Sequence, residues 1–410
     1  MAIGLMGGGP VYGQMVVDAV MGIADSTDFV VLDDFQNFSQ IDNSGNMVLD
    51  GDGVNENSGV INNTGSFGVG GDWTNLGTFN GTNGEFIILG SGNQTINNRD
   101  QGLGNLVVDG DGNKLLDNNT TADTVDFRFG IVTLAAGDSL IINGAALGGS
   151  DLSYLDGILY QRGTGMKFYP IGKGSTYAPV TLVDVMGINP LIGMEMFEPN
   201  TNSPTPDSTL IGVSPIRYWE LTLVSGSFDS SVIVLPTINE NLDRSALPNL
   251  NPINTNVEAA VVAEANDPSG PFTDIGVSTQ LGDLIDGEIT SERAARLRFF
   301  AIALAPRVPE EGVLFIPSAF APSALNPEDQ VFKIYGEKLS AENFRLRIFD
   351  KWGLLVFETD DFVEANTIGW NGQKNNTGAE MPTGVYTYTV DGQFDIGVTI
   401  DQVGTVILLR

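Results

Sequence analysis

Apolar residues in the first 150 positions occur in runs of two to four, separated by Asn, Gly and other small polar residues. Residues 45–53 (GNMVLDGDG) are repeated as residues 104–112 (GNLVVDGDG), 59 positions further on. Shorter versions of the same unit lie between them, at residues 57–61, 63–67, 75–79 and 83–86. Because Asn and Gly tolerate the positive φ angles of tight corners, each unit predicts a short strand between two corners.

The repeat predicts a β-solenoid. An offset of 59 residues divides into three coils of about 20, which lies within the usual range of solenoid repeats. We predict roughly five coils over residues 29–147, held together by stacking because a single coil cannot bury its own apolar face. Residues 127–134 and 138–143 would be among the last strands. An ordinary β-sandwich would explain the short strands but not the repeat.

Longer alternating runs follow from residue 148 to residue 305, with Pro- and Asn-rich loops between them. Seven short strands with such connections predict a central antiparallel β-sandwich. The one helix candidate is residues 290–298 (TSERAARLR), with Thr290 or Ser291 as its cap. Residues 306–312 (PRVPEEG) are typical of a stiff, solvated linker.

The last segment, residues 313–410, alternates strongly. Residues 344–349 (FRLRIF), the turn Lys351-Trp352-Gly353 and the return over residues 354–357 predict a β-hairpin of the sandwich type. Residues 385–390 and 404–409 supply closing strands. The chain is therefore predicted to be all-β, with an N-terminal β-solenoid, a central antiparallel β-sandwich and a C-terminal immunoglobulin-like β-sandwich.

Composition removes several kinds of chemistry. The chain has 410 residues and contains neither Cys nor His, which excludes a disulfide, a thiolate nucleophile, an imidazole base and an ordinary zinc site. Carboxylate catalysis and oxygen-ligated cations remain. With a net charge of −32, the chain would repel phosphates, so we do not expect nucleic acid as a partner. No apolar run reaches the roughly 18 residues of a membrane span.

The N-terminal 28 residues leave two interpretations open. They are apolar and Gly-rich at first, as in a leader or a partial signal peptide. A signal peptide normally begins with a positive region, whereas the first basic residue here is Arg99. Either residues 1–28 are a retained leader, or they belong to a signal peptide whose start is missing. The first 150 residues as a whole are acidic, with three basic and 18 acidic side chains.

Two Asp-Gly-Asp-Gly turns are candidate calcium sites. Asp50 with Asp52, and Asp109 with Asp111, place carboxylates two residues apart around a glycine, as calcium loops do. Both turns lack the distal Glu of an EF-hand, so affinity would be weak, on the order of 10⁻⁴ to 10⁻³ M. The simpler interpretation is that the same residues form solenoid corners. Calcium is the only cofactor that the sequence suggests.

The sequence does not single out a catalytic group. None of the 51 acidic residues forms a pair marked by spacing or by an aromatic platform, so we expect no enzyme, with a carboxylate-based glycosidase as the remaining alternative. Trp73, Phe79 and Phe86 are spaced as stacked core residues of the solenoid, which we favour over a sugar-binding strip. Arg293, Arg296 and Arg298 suit a solvated face or pairing with nearby acids.

Several ordered motifs run to the end of the chain. These are residues 315–322 (FIPSAFAP), 331–334 (VFKI), 343–357 (NFRLRIFDKWGLLVF), 370–372 (WNG), 382–388 (PTGVYTY) and 404–410 (GTVILLR). Together they resemble the gliding-motility-associated C-terminal domain, the type B sorting domain of Bacteroidota proteins exported by the type IX secretion system. The residues that carry the resemblance are Pro317, Phe320, Phe349, Trp352, Gly353, Trp370, Gly372, Pro382, Gly384, Tyr386 and Gly404.

The resemblance implies export to the cell surface and contact with the type IX outer-membrane machinery, through residues 343–357 and the terminal strand. Trp352 and Trp370 would then be core or turn anchors. The sequence departs from the family at residues 323–329 (SALNPED), where an Asn-Gly-Asp-Gly-type turn is usual. Residues 153–157 and 168–174 also resemble a sandwich module of Bacteroidota surface proteins.

These observations predict a secreted or cell-surface structural, adhesin-like protein. Its expected partners are the type IX machinery and either surface glycans or other cell-surface proteins. The alternative is an extracellular carbohydrate-binding or carbohydrate-active protein with the same sorting segment.

Overall fold

Short β-strands, paired in parallel from one coil to the next, build the first part of the chain. The computed structural model describes residues 14–240, 258–306, 312–340, 343–394 and 398–410. The chain forms two units, one made of Met1–Asn251 with Ala259–Pro306 and the other of Pro252–Glu258 with Arg307–Arg410. Within the described residues, helical structure is limited to Phe362–Thr367 and to 3₁₀ turns at Pro327–Asp329 and Lys374–Asn376.

The first unit begins with a β-solenoid of about eight turns. Its strands stack into continuous parallel sheets because equivalent strands of successive coils are hydrogen-bonded to one another. Two long strands, Asn105–Leu116 and Thr124–Leu134, each turn a corner and so form two sides of one coil. The other solenoid strands are Met15–Val17, Met21–Ile23, Asp28–Val31, Phe35–Asn37, Gln40–Asn43, Asn46–Leu49, Gly53–Asn55, Val60–Asn63, Ser66–Val69, Trp73–Asn75, Thr78–Asn80, Glu85–Ile88, Gln94–Asn97, Thr120–Ala122, Leu140–Ile142, Ala146–Gly148, Leu155–Asp156 and Leu159–Arg162.

The strand register confirms the coil length that the repeat predicts. Asn46 pairs with Ser66 of the next coil, and Ser66 pairs with Glu85 of the coil after that. Glu85 in turn pairs with Asn105, so the two halves of the 59-residue repeat lie three coils apart.

The predicted number of coils was too low. The first coil starts at Met15, inside the segment assigned to a leader, and the last strand ends at Arg162, inside the segment assigned to the sandwich. The first coil was overlooked because it contains no Asn and makes corners with Asp and Ser instead, such as Asp25-Ser26, where Ser26 has φ +60°. Residues 1–13 of the proposed leader lie outside the described residues.

Buried amide ladders line the solenoid corners. Asn37 donates from Nδ2 to Oδ1 of Asn55 at 2.8 Å, and Asn55 donates in the same way to Asn75 at 2.8 Å. A second ladder joins Asn43 to Asn63 at 2.7 Å. All five side chains are buried, where an unpaired amide would be costly. Each ladder therefore requires the same residue type at the same corner of successive coils.

Aromatic side chains fill the interior of the middle coils. The rings of Phe67, Trp73, Phe79 and Phe86 are buried and lie with centroids between 5.2 and 6.0 Å from one another. Most of the pairs meet edge to face, the favoured geometry for such rings. The prediction that these residues are core rather than a sugar-binding strip is confirmed.

The solenoid continues directly into the antiparallel sandwich through one strand. Leu159–Arg162 pairs in parallel with Leu140–Ile142 on one side and antiparallel with Leu191–Phe197 on the other. One sheet of nine strands therefore belongs to both parts, and the buried core is continuous from Val17 to Ile302. The sandwich is the end of the solenoid rather than a separately packed module.

A second sheet of five strands faces this nine-stranded sheet. Its strands are Gly165–Tyr169, Val180–Met186, Ser230–Ile238, Asp286–Thr290 and Thr279–Gly282. The remaining strands of the first unit are Ile171–Lys173, Thr176–Tyr177, Tyr218–Ser225, Gly212–Val213, Glu258–Ala265, Thr273–Asp274 and Phe299–Pro306.

The helix expected over residues 290–298 is wrong. Thr290 ends the strand Asp286–Thr290, and the following residues run alongside Ser230–Ile238. Ser291 donates its N–H to Ile233, Ala295 exchanges backbone hydrogen bonds with Ser231, and Glu264 accepts the N–H groups of the next two residues. Pairing with neighbouring strands therefore outweighs the local helix propensity of the segment.

The second unit is a five-stranded sheet with one covered face. Its strand order is Ala319–Phe320, Thr399–Leu408, Gly384–Gln393, Arg345–Phe349 and Leu355–Thr359. The two remaining strands of the unit, Val313–Phe315 and Tyr335–Glu337, form a separate two-stranded sheet. The predicted hairpin and closing strands are confirmed, as is the all-β class. Residues 307–311 of the proposed linker lie outside the described residues.

The buried ladder makes a test of the fold. Asn55→Ala leaves the Nδ2 of Asn37 and the Oδ1 of Asn75 without their partner in the interior, so we expect a loss of about 1–3 kcal/mol in the free energy of unfolding. Asn62→Ala is the matched control, because Asn62 lies in an exposed ladder between Asp42 and Asn80. The control should change the free energy of unfolding by no more than about 0.5 kcal/mol in urea titrations. Equal losses in both variants would contradict the role given to the buried ladder.

Candidate functional site

The first Asp-Gly-Asp-Gly turn forms part of a ladder along one corner of the solenoid. Asp34 accepts the backbone N–H of Asp52 at 3.1 Å, and Asp52 accepts that of Asp72 at 2.8 Å. Asp72 continues the pattern by accepting from Thr95 at 2.7 Å. Each carboxylate thus satisfies a donor of the following coil. Asp50 follows the strand Asn46–Leu49 at the same corner and is exposed.

The second turn lies at the bend of the long strand Asn105–Leu116. Asp111 accepts the N–H of Gly112 at 2.7 Å, and Asp109 lies 3.7 Å from the guanidinium of Arg128. In the described ranges, no three or more Asp or Glu side chains are grouped to hold a metal ion. The structure therefore gives the four aspartates roles at corners, and calcium binding stays a prediction.

A buried cation lies behind the second turn and was not predicted. The Nζ of Lys114 donates to the carbonyl oxygens of Gly90 and Gly92, both at 2.6 Å, and to Oε1 of Gln94 at 2.8 Å. Burial lowers the pKa of Lys114 to about 8, against the opposing charge of Asp111. Gln94 and Lys114 are partners in register, so two successive coils use long polar side chains to satisfy the same corner. The signal in the sequence is the one lysine among the first 150 residues, within an acidic repeat.

The sandwich places two carboxylates directly opposite each other. Glu195 and Glu220 are partners in register on antiparallel strands. Glu220 is ion-paired with Arg298, whose Nε lies 2.9 Å from its carboxylate. Burial raises the pKa of Glu195, and the carboxylate of Glu220 raises it further despite the opposing charge of Lys173. Like charges placed opposite each other destabilise a sheet.

Three of the C-terminal motif residues form the core of the second unit. Phe320, Trp370 and Tyr386 are buried, with ring centroids 5.3 Å apart for the first pair and 4.9 Å apart for the second. Trp370 donates from Nε1 to the carbonyl of Gln373 at 2.7 Å. Tyr386 donates its hydroxyl to the carbonyl of Pro382 at 2.7 Å. These motif residues therefore fix the fold of the unit.

Glycines of the motifs permit a turn and a close contact. Gly353 has φ +79° in the hairpin turn, where L side chains are strained. A Cβ at Gly404 would lie 2.2 Å from the hydroxyl of Tyr388, so this strand position requires glycine. Gly372 is buried, Gly384 and Phe349 are half-buried, and Pro317 is half-buried before the first strand of the sheet.

Trp352 is not a core residue. Its side chain is 77% exposed at the tip of the hairpin, with the Nζ of Lys351 5.2 Å from the ring centroid. Of the two roles expected for Trp352, core or turn anchor, the structure supports the turn position, with a ring that faces solvent. Sequence alternation could not reveal this, because the residue lies outside both strands of the hairpin.

The comparisons with known proteins concern this same unit. Residues 314–407 match the family model of the CHU_C type IX secretion signal domain. The C-terminal segment is a type IX secretion signal domain, which implies export, a cell-surface or extracellular location and interaction with the type IX machinery. No curated protein and no solved structure matches the chain. None of the helices in the described ranges is long and apolar enough to cross a membrane.

A calcium titration tests the two aspartate turns. Because Asp52 and Asp111 already accept backbone N–H groups, we expect millimolar calcium to leave the melting temperature of the full chain unchanged. Magnesium at the same concentration controls for ionic strength. A calcium-specific rise of several degrees, abolished by Asp52→Asn or Asp111→Asn, would instead establish a cation site at these corners.

The glutamate pair predicts a pH-dependent gain in stability for Glu195→Gln. Because the folded-state pKa of Glu195 is raised, its carboxyl costs no stability at low pH, where it is protonated in both states. The cost grows as the pH rises above the ordinary pKa of a glutamate and is complete above the raised pKa. The variant should therefore melt at a higher temperature than wild type near pH 7.5, with a gain of less than about 1 kcal/mol in the free energy of unfolding. This advantage should disappear towards pH 4.

Glu220→Gln is the matched control for that comparison. It removes the same repulsion but also gives up the ion pair with Arg298, so its gain should be smaller. Thermal melts of both variants across this pH range provide the measurement. A Glu195→Gln variant that is less stable than wild type at pH 7.5 would contradict the assigned repulsion.

Proposed function

We propose that the chain is a non-catalytic structural, adhesin-like protein of the cell surface, exported by the type IX secretion system through its C-terminal unit. The observation that carries the proposal is the match of residues 314–407 to a type IX secretion signal domain. That match covers the second unit almost completely. The signal is therefore a folded unit of its own, and the first unit is what the signal exports.

The construction of the first unit supports a structural role. Eight stacked coils share one core with the sandwich that follows them. Asn and Asp ladders join their corners from one coil to the next. Stability in such a stack comes from contacts between neighbouring coils, which suits a stalk or a displayed surface.

Charge supports the same assignment. The net charge of −32 keeps the exposed surface soluble by self-repulsion. The carboxylates at the solenoid corners bind backbone donors of the fold, and the aromatic residues of the middle coils face the interior. The features that first suggested chemistry in the solenoid are thus used by the solenoid itself. What remains for its surface is contact with other molecules rather than catalysis.

Removing the second unit tests the export role. A chain that lacks residues 313–410, expressed in a cell with a type IX system, should accumulate in the periplasm because it carries no secretion signal. Fusing residues 312–410 to an unrelated soluble passenger should carry that passenger to the surface. Protease accessibility on intact cells measures both.

The solenoid–sandwich unit fused to the same passenger provides the control and should remain inside. Normal surface display of the truncated chain would contradict the proposed function.

A further inference from the structure

One face of the sheet in the second unit is open and divided into two chemically different ends. Side chains that alternate with buried Tyr386, Val406 and Leu408 point away from the core. The strand register places these outward side chains in rows that cross the sheet. The rows at one end are apolar or threonine, and those at the other end carry charged side chains beside Thr389 and Val403.

The apolar end lies beside the hairpin turn. Val385 pairs with Ile407, which pairs with Ala319 on the next strand. The adjacent row contains Phe349, paired with Leu355 across the hairpin. Val385 is 55% exposed, Ile407 41% and Leu355 39%.

The other end of the same face is built from ion pairs. Arg347 donates to Asp391 at 2.7 Å, and Arg345 lies 3.8 Å from Glu358. Asp401 pairs in register with Asp391 at the same end. This charged end already has internal partners and marks the boundary of the apolar end.

The hairpin tip connects Phe349 and Leu355 of the apolar end. Trp352 and Leu354 are 77% and 65% exposed at the tip. Asp350 holds both in place, because its Oδ1 accepts the N–H of Trp352 at 2.8 Å and that of Leu354 at 2.9 Å. The exposed ring is therefore presented by an ordered turn rather than by a loose loop. We call Trp352, Leu354, Leu355, Val385 and Ile407 the apolar strip.

We propose that the apolar strip is the surface by which the type IX machinery binds this signal domain, with Trp352 as its central contact. The inference rests on the proposed function and adds a location to it. The occupant follows from the family match, since the strip lies entirely within residues 314–407. Contiguous exposed apolar side chains mark interaction surfaces, and tryptophan is enriched among the residues that dominate binding.

Charge also favours a partner that recognises apolar surface. In a chain of net charge −32, the strip contains no carboxylate side chain, and Asp350, in the turn that carries Trp352 and Leu354, has its Oδ1 occupied by two backbone N–H groups. Contact through the strip should therefore depend little on salt, because screening acts on charges. Lys351 beside the ring is compatible with the same contact.

The test compares two variants of the full chain, both altered at exposed positions. The double variant Trp352→Ala with Ile407→Thr removes the largest side chain of the strip and one from its sheet face. Val403→Thr is the matched control, because Val403 lies on the same strand, is 65% exposed and lies outside the strip. Leu354→Ser, at the exposed tip, serves as a second test if the double variant loses its fold.

We expect the double variant to accumulate in the periplasm, with surface display reduced about tenfold, the effect of losing one dominant contact. Its melting temperature should match that of wild type, and Val403→Thr should be displayed normally. Raising the salt concentration should not release wild-type protein from the machinery in a pull-down from envelope extracts.

Each other outcome overturns the assignment. If the double variant is displayed like wild type while deletion of residues 313–410 blocks display, the strip is not the binding surface and the proposed function stands. If the deletion variant is displayed, both the role of the strip and the proposed function are rejected. Equal trapping of Val403→Thr shows that the effect is not specific to the strip. Self-association of the purified chain that the double variant abolishes assigns the strip to a second copy instead.

Discussion

The first unit depends on hydrogen bonds between identical side chains at identical corners. An Asn amide has a donor and an acceptor at its tip, so a column of Asn residues satisfies itself only when successive coils lie in register. Asn37, Asn55 and Asn75 form such a column inside the solenoid. A shift of one residue would place those amides among apolar groups, and it would move the aromatic residues to the surface. The corners therefore determine which faces of the coils are buried.

Register then determines the rest of the unit. Because the coils stack in parallel, the last strand presents a regular edge, and Leu191–Phe197 pairs with that edge in the opposite direction. The sandwich closes the end of the stack and shares its core. The same corners use some of the acidic residues of the solenoid, since Asp34, Asp52 and Asp72 accept backbone N–H groups of the next coil.

The sequence was most informative where it repeats. The 59-residue echo predicted coils of the correct length, because each coil reuses the Asn and Gly corners of its neighbour. The sequence does not reveal the first coil, because it lacks Asn, or the last, because Leu159–Arg162 pairs with the solenoid on one side and with the sandwich on the other, within one sheet.

The exposure of single side chains and the facing of two like charges could not be predicted from the sequence. Trp352 differs from buried Trp370 only through its place at the tip of a hairpin. The opposition of Glu195 and Glu220 arises from pairing between strands that are distant along the chain. Neither property has a local signal. The C-terminal motifs were predictable because their spacing follows the strands and turns of one small sheet.

The central claim is that the C-terminal unit is an export signal read by the type IX machinery and that the solenoid–sandwich unit is what reaches the outside. The most direct measurement is protease treatment of intact cells in which the type IX outer-membrane component is depleted while the full chain is being made. The account predicts that the solenoid is digested in normal cells and protected after depletion, with the chain recovered intact from the periplasm. Continued digestion of the solenoid after depletion would contradict it.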